Sequence, residues 1–339
     1  MSHFENKGRL VSLQVVARHL AKLLNMEVKF LNDCIGDKIK NQIKSAKPGQ
    51  IFLLENLRFH SQEKANDENF GYQLAKLGDC YVNEAFSVSH RAHASVVGIP
   101  RYLPSYAGLL FEEEINTLAR VLKNPSHPFV VAIGGVKIET KSKLIANIVK
   151  TADHILVGSK IGEKILVYKN QLMRHQIQEK NPALDAIDLT SSKIHLPVDG
   201  VLALKDLSEG YLRTAAIGSM RQEEDIYDIG PETVKFFVEI VKEAKTIFFN
   251  GTMGLFEKQE FSLGTKMILE AISNNNSAYR VAGGGETLEA IRRYKATKSF
   301  DFLSTGGGAM LEFLAGNTLP GIAALEALPV PVPLRKKNN

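Results

Sequence analysis

The most constraining stretch of this chain is 279–313, where two short apolar segments each end in three glycines and pass into an amphipathic run. The first reads YRVAGGGETLEAIRRY and sets Gly283, Gly284 and Gly285 ahead of Glu286 and Thr287. The second reads SFDFLSTGGGAMLEFL and sets Ser304 and Thr305 ahead of Gly306, Gly307 and Gly308. Both patterns predict strand, glycine turn, helix. Glycine takes positive φ without strain and has no Cβ to hold a ligand away. The free N–H groups and the positive dipole end of the following helix then face any anion placed there. A single glycine turn of this kind is common between strand and helix. Two of them, 23 residues apart, predict a cradle for a polyphosphate. Neither fits the G-x-G-x-x-G or the G-x-x-x-x-G-K-[ST] spacing.

Upstream, apolar residues at Leu10, Leu13, Val16, Leu20 and Leu23 recur at helical spacing. Residues 27–31 alternate as a strand, 37–45 read as helix, 51–54 as a buried strand, 68–77 as helix and 79–86 as strand. This βαβ rhythm predicts a parallel sheet with helices on both faces. The charged amphipathic run 111–122 is the candidate connection between domains. A second series follows, with strands at 129–133, 154–157, 194–198 (broken by Pro197) and 246–249, and helices at 142–150 and 231–242. Pro231 just after Gly230 suits the first turn of a helix. Residues 169–188 are the least legible. The fold predicted is two doubly wound α/β domains, whose ligands sit outside the carboxyl ends of the strands. Every glycine motif falls at such an end.

The length of 339 residues suits two domains, with 44% hydrophobic and 23% charged residues as in ordinary globular chains. A net charge of +5, without long runs of one sign, is too mild to point to nucleic acid and suits small anionic substrates. Cys34 and Cys80 make neither a disulfide framework nor a zinc spacing, which predicts a reducing cytoplasm. No apolar run reaches membrane-spanning length, and the start MSHFENKGRL has no signal-peptide core. The end, PVPVPLRKKNN, reads as a frayed polar tail.

Four further runs carry chemistry. VVAIGGVKIETKSK places Lys137 and Lys141 four apart just after a strand, on one face if the helix starts near Lys137. Two cations there suit phosphate oxygens, whereas an isolated pair of this kind is usually a solvated helix face. LLENLRFHSQEKAND has Arg58 past a strand, and VNEAFSVSHRAHASVVG has His90, Arg91 and His93 past another. Arginine grips carboxylate or phosphate with two bonds. The two histidines lack a third ligand at metal-binding spacing. FFNGTMGLFEKQEF puts Asn250, Gly251 and Gly254 after a strand and then Glu257, an acidic residue suited to ribose hydroxyls.

Taken together these runs resemble the phosphoglycerate kinase family, in the family's order and through almost the whole chain: LLENLRF, VNEAF…HRAHAS, GGVKIETK, LPVDGV, DIGPET, FNGTMGLFE, GGGET, STGGGAMLEFL and LPGIAALEAL. The resemblance implies two Rossmann-like lobes joined by a helix, with a phosphoglycerate-binding lobe at 1–107, the helix at 108–124, a nucleotide lobe at 125–319 and a tail at 320–339. It implies hinge closure and phosphoryl transfer between 1,3-bisphosphoglycerate and Mg-ADP, by a monomer that takes small molecules and neither nucleic acid nor membrane. His3, Arg58, His90 and Arg91 then belong to the phosphoglycerate side. Lys137 goes to the transferring phosphoryl group and Lys141 to the nucleotide phosphates. Gly158 falls in the adenine pocket, and Asn250 and Glu257 on the nucleotide. Gly283, Gly284 and Gly285, with Gly306, Gly307 and Gly308, supply N–H groups near the phosphates, Gly284 and Gly307 closest to the reaction. Glu286 and Thr287 match the family's metal- and phosphate-binding pair, so that Glu286 is the expected Mg2+ ligand.

The chain departs from the pattern at several points. Met1-Ser2-His3 matches an internal stretch of the family, so the first strand, its DFNVP-type motif and an arginine for the transferring phosphoryl are expected ahead of it. SHFENKG replaces SH-x-GRPKG, with Asn6 nearest the substrate arginine. Glu286 stands for the usual aspartate, FNGT for WNGP, and Lys160 where an apolar residue is common in the adenine pocket. Two other readings are a non-catalytic nucleotide-binding remnant of the family and a nicotinamide-dependent dehydrogenase, the latter opposed by the missing G-x-G-x-x-G.

Overall fold

A computed structural model describes residues 5–6, 9–175, 180–207 and 210–327. The chain divides into two compact units, Met1–Glu112 with Thr318–Asn339, and Glu113–Asn317. In the first unit the order is α1 (Gln14–Leu24), β1 (Val28–Leu31), α2 (Asp37–Lys44), β2 (Ile51–Leu54), α3 (Glu68–Ala75), β3 (Tyr81–Asn83) and β4 (Ser105–Ala107). Strands β1 and β2 pair in parallel with Val28 opposite Ile51, and β3 and β4 pair in parallel with Tyr81 opposite Ser105. These are two separate two-stranded ladders rather than one sheet. Cys34, Phe70, Leu74 and Ala94 form a small core against Leu54 and Leu57. Asp67 starts α3 by accepting the N–H of Phe70 at 2.7 Å. Helix 111–122 of the sequence reading is α4 (Leu109–Lys123), and the division between the units falls within it.

The second unit is built on one parallel six-stranded sheet. Its strands are β5 (Phe129–Ile133), β6 (His154–Val157), β7 (Ile194–His195), β11 (Thr246–Asn250), β12 (Tyr279–Gly283) and β13 (Phe302–Ser304), in the spatial order β13-β12-β11-β5-β6-β7. Every residue of β5 and β11 is buried, as the continuous apolar runs FVVAI and TIFFN require when helices cover both faces. Phe249 lies opposite Ala132 on one side and Ala282 on the other. Chain order runs outward from β5 through β6 to β7, then restarts at β11 and runs outward the other way. The order therefore reverses between β5 and β11. Helices α5 (Ser142–Ile148), α6 (Ser159–Met173), α7 (Pro231–Glu243), α8 (Leu263–Asn274) and α9 (Gly285–Arg293) connect them, and α10 (Gly308–Leu314) follows β13.

Two features were not foreseen. A three-stranded antiparallel sheet, β8 (Asp199–Leu204) flanked by β9 (Arg213–Ala216) and β10 (Glu224–Ile229), lies between β7 and α7 in the chain. Its carboxylates are used structurally. Glu224 accepts Arg213 Nε at 2.6 Å, and Asp199 accepts the N–H groups of Glu232 at 3.0 Å and Thr233 at 2.8 Å, capping α7 from a neighbouring strand. Second, residues 320–326, expected to open a tail, form helix α11 (Pro320–Glu326), whose Gly321 N–H donates to Ser89 O at 2.8 Å. A Cβ at Gly321 would meet Ser89 Cβ at 2.9 Å, so only glycine allows this approach. The polar end PVPVPLRKKNN lies outside the described residues, and α6 occupies the first part of the illegible 169–188.

Candidate active site

Strand β5 ends in Gly134-Gly135 and β11 ends in Asn250-Gly251, side by side where the sheet order reverses. Gly134 N–H donates to Asn250 O at 3.2 Å. Lys141 turns back into this junction. Its Nζ donates to Gly134 O at 2.6 Å and Asn250 O at 2.8 Å. Burial pulls its pKa down from 10.5 to about 8, opposed by the Glu286 carboxylate. An ammonium has three donors, and these two bonds leave one for a ligand.

Asn250 and Thr287 fix the first glycine triplet against this junction. Asn250 Nδ2 donates to Gly283 O at 2.6 Å, and Thr287 Oγ1 accepts the Gly251 N–H at 2.7 Å. Gly284 has φ +105, and a Cβ there would come within 2.9 Å of Asn250 Nδ2. Asn250 Oδ1 is buried without a hydrogen-bond partner among the described residues. A buried acceptor without a partner is costly unless something arrives to donate to it. Gly285 opens α9 beside empty space, and Glu286 is exposed in the same first turn.

The second triplet is held by Glu114 of α4, buried, which accepts Ser304 Oγ at 2.7 Å, Thr305 N–H at 2.7 Å and Thr305 Oγ1 at 2.9 Å. Gly307 then takes φ +50 facing open space. Nothing in the sequence marked Glu114 for this part, because a glutamate on a charged helix reads as solvated.

Lys137 and Lys141 do not share one face. A single 3-10 turn, Ile138–Thr140, intervenes before α5, leaving Lys137 exposed while Lys141 is half-buried with its ammonium turned inward. Beyond β6, Gly158 packs on Met253, where a Cβ would fall 2.6 Å from Sδ. The residues just after it, Ser159 and Lys160, line a hollow of about 170 Å³ with Tyr227, Leu255, Glu257 and Glu286. Lys160 pairs with Asp225 and with Glu163 at 3.6 Å, and its Nζ stands 5.7 Å from the Tyr227 ring centroid. Tyr227 and Leu255 were not singled out from sequence, since Tyr227 comes from the unforeseen antiparallel sheet.

In the other unit, Arg58 lies on the 3-10 turn Leu57–Phe59, whose start is capped by Asn56 Oδ1 accepting the Arg58 N–H at 3.1 Å. Arg91 Nε donates to His90 Nε2 at 3.3 Å. Burial holds the pKa of His93 below its ordinary value. Glu63, 3.8 Å away, opposes this, while the charges of Arg91, Arg58 and Lys64 add to it. One basic cluster therefore gathers both predicted arginines, and Lys64 joins it unforeseen. His3 lies outside the described residues.

A parallel sheet whose order reverses at a half-buried lysine, with glycine turns at its strand ends, defines the class of open α/β nucleotide-binding enzymes. The comparison with family models narrows this. The model described as phosphoglycerate kinase matches residues 1–317, and the chain belongs to that family. It is 38% identical over 324 residues to the phosphoglycerate kinase of Dictyoglomus turgidum, covering 93% of this chain and 81% of that one. It is 39% identical over 345 residues to that of Orientia tsutsugamushi, covering 96% and 84%. Among solved structures it is similar to phosphoglycerate kinase from Coxiella burnetii, with TM-score 0.78 and 34% identity over 93% of this chain and 81% of that one. It is also similar to the enzyme from Pyrococcus horikoshii, with TM-score 0.79 and 30% identity over 94% and 83%.

Proposed function

We infer that this chain is a phosphotransferase that moves a phosphoryl group reversibly between 1,3-bisphosphoglycerate and Mg-ADP, giving 3-phosphoglycerate and ATP in glycolysis. The observation that carries the reading is the junction of β5 and β11, where Lys141, the Gly134 and Gly251 turns and the Thr287–Gly251 bond converge. In this reading the nucleotide phosphates take the remaining Lys141 donor and the N–H groups around Gly284 and Gly307, while the base enters the hollow beside Lys160 and Tyr227. Gly158 backs that hollow, and Glu257 sits at its rim for the ribose. The exposed ammonium of Lys137 meets the transferring phosphoryl. Arg58, His90 and Arg91, with His3, hold the phosphoglycerate. Phosphoryl transfer needs positioning and charge neutralisation more than covalent chemistry, and fixed cations with backbone donors supply both.

Glu286, whose exposed carboxylate shares the first turn of α9 with the glycine cradle, is the residue suited to the Mg2+ that travels with the nucleotide. That ion supplies neutralisation of phosphate oxygens when bound. None of the described helices is long and apolar enough to cross a membrane. The reading is of a monomeric cytoplasmic enzyme that acts on small molecules, with hinge closure joining its two substrates.

Two measurements test it. Calorimetry should give heat with Mg-ADP and none with NAD. A coupled assay with 3-phosphoglycerate and Mg-ATP should show turnover. Heat with NAD alone would replace the reading with a dehydrogenase, and ADP binding without turnover would replace it with a nucleotide-binding remnant.

A further inference from the structure

The loop after β1 and the turn after β2 bring together three side chains that neither substrate uses. Asp33 and Cys34 follow β1, and His60 follows the 3-10 turn that carries Arg58. Their ligand atoms all lie within 4.8 Å of one another. His60 Nε2 is 2.8 Å from Asp33 Oδ1. We propose that Cys34 Sγ, His60 Nε2 and Asp33 Oδ1 form a binding site for a thiophilic divalent cation of the zinc class, which clips the end of β1 to the turn bearing Arg58.

The donor set is the first reason. One sulfur, one imidazole nitrogen and one carboxylate oxygen match the borderline-soft preference of Zn2+. With bonds of about 2.0–2.3 Å, tetrahedral ligands stand roughly 3.3–3.7 Å apart, so small side-chain movements seat the ion. The second reason is that each donor is already held. Cys34 is fully buried and its thiol donates to Glu55 O at 3.0 Å. Asp33 Oδ1 accepts the Cys34 N–H at 2.6 Å. The His60 ring lies against Phe70 with centroids 5.1 Å apart. Asp33 is exposed, which leaves the fourth position to water. On binding, the thiol proton leaves to solvent and the Sγ lone pair takes the cation. His60 gives up to solvent the Nε2 proton it shares with Asp33, its ring proton standing on Nδ1 in the bound form, and the Asp33–His60 bond is replaced by two bonds to the ion. The rival account makes Asp33–His60 a plain ion pair and Cys34 a filler of the Phe70, Leu74 and Ala94 core.

This proposal is independent of the phosphotransfer reading, and its test uses the metal alone. The full chain, freed of metal with a chelator, is titrated with Co2+. The expected result is one equivalent bound, with thiolate-to-cobalt absorption and intense tetrahedral d–d bands that Zn2+ displaces. Cys34→Ser should abolish the spectrum, His60→Gln should weaken binding at least tenfold, and Cys80→Ser at the exposed second cysteine should leave it unchanged. Absence of saturable binding, or a spectrum that survives Cys34→Ser or is lost in Cys80→Ser, would overturn the site. If Cys34→Ser does not fold by circular dichroism, His60→Gln and Asp33→Asn decide, and unaltered Co2+ affinity in both overturns it.

Discussion

The side-chain amide of Asn250 donates to the backbone carbonyl of Gly283 across 2.6 Å, joining β11 to β12 at the point where both strands leave the sheet. Both residues are buried, and the same side chain presents an unpartnered oxygen to the junction. Asn250→Ala strands the Gly283 carbonyl and removes that oxygen. The expected loss is about 1–3 kcal/mol of stability, read as a lower urea midpoint at unchanged slope. Mg-ADP affinity should fall with it. Unaltered midpoint and affinity would mean that the amide holds nothing.

Lys141 sets a pH dependence with a definite sign. Its folded pKa of about 8 lies below the ordinary 10.5. Between those values the unfolded chain binds more protons, so this group makes stability rise with pH from about 8 to 10.5. Nucleotide binding should behave oppositely. Above pH 8 the free protein holds a neutral amine, phosphate binding must take up a proton, and affinity should weaken by up to about tenfold per pH unit. Calorimetry in buffers of different ionisation heat checks both the affinity and the proton uptake. Lys141→Met should bind weakly and without this pH profile.

Lys137 stands apart, exposed on the turn before α5. Charge exposed mainly during transfer is bound better in the transition state than in the ground state. Lys137→Ala should therefore lower kcat by roughly 10²–10³ and change KM little. Lys141→Ala should raise the nucleotide KM more visibly. Near-normal kcat in Lys137→Ala would return Lys137 to a solvated surface position.

Asp228 offers a test away from chemistry. Burial pushes its pKa up to about 7, although it accepts N–H bonds from Gly264 at 2.7 Å and Ile229 at 2.9 Å. The native state binds more protons than the unfolded chain between about pH 4 and 7, so this group's contribution falls as pH rises through that window. Asp228→Asn keeps an acceptor for Gly264 and has no charge to bury. It should flatten the decline and stabilise the protein at pH 8 by up to about 4 kcal/mol, measured by urea unfolding at pH 5 and pH 8.

The apolar runs at β5 and β11 were legible because strands covered on both faces need continuous hydrophobicity, and Pro231 after Gly230 marked the start of α7. The antiparallel sheet was not, because Asp199, Glu224 and Asp228 are buried carboxylates whose partners come from other elements. Sequence pattern assigns such residues to the surface. The same reason hid the inward turn of the Lys141 ammonium and the role of Glu114. Strand β4, SYA, has too few residues for any period to show.

The meeting of β5 with β11 has a consequence for biosynthesis. Lys141 and its acceptor Asn250 are 109 residues apart, on opposite wings of the sheet. A nascent chain that has emerged only through α7 has the lysine and the first strand but no neighbour on that edge. The proposed nucleotide pocket thus cannot exist until β11 and then β12 close around β5, a late and non-local event. A ligand that recognises this junction will bind finished molecules and ignore partly made ones, drawing completed chains toward the folded state by mass action.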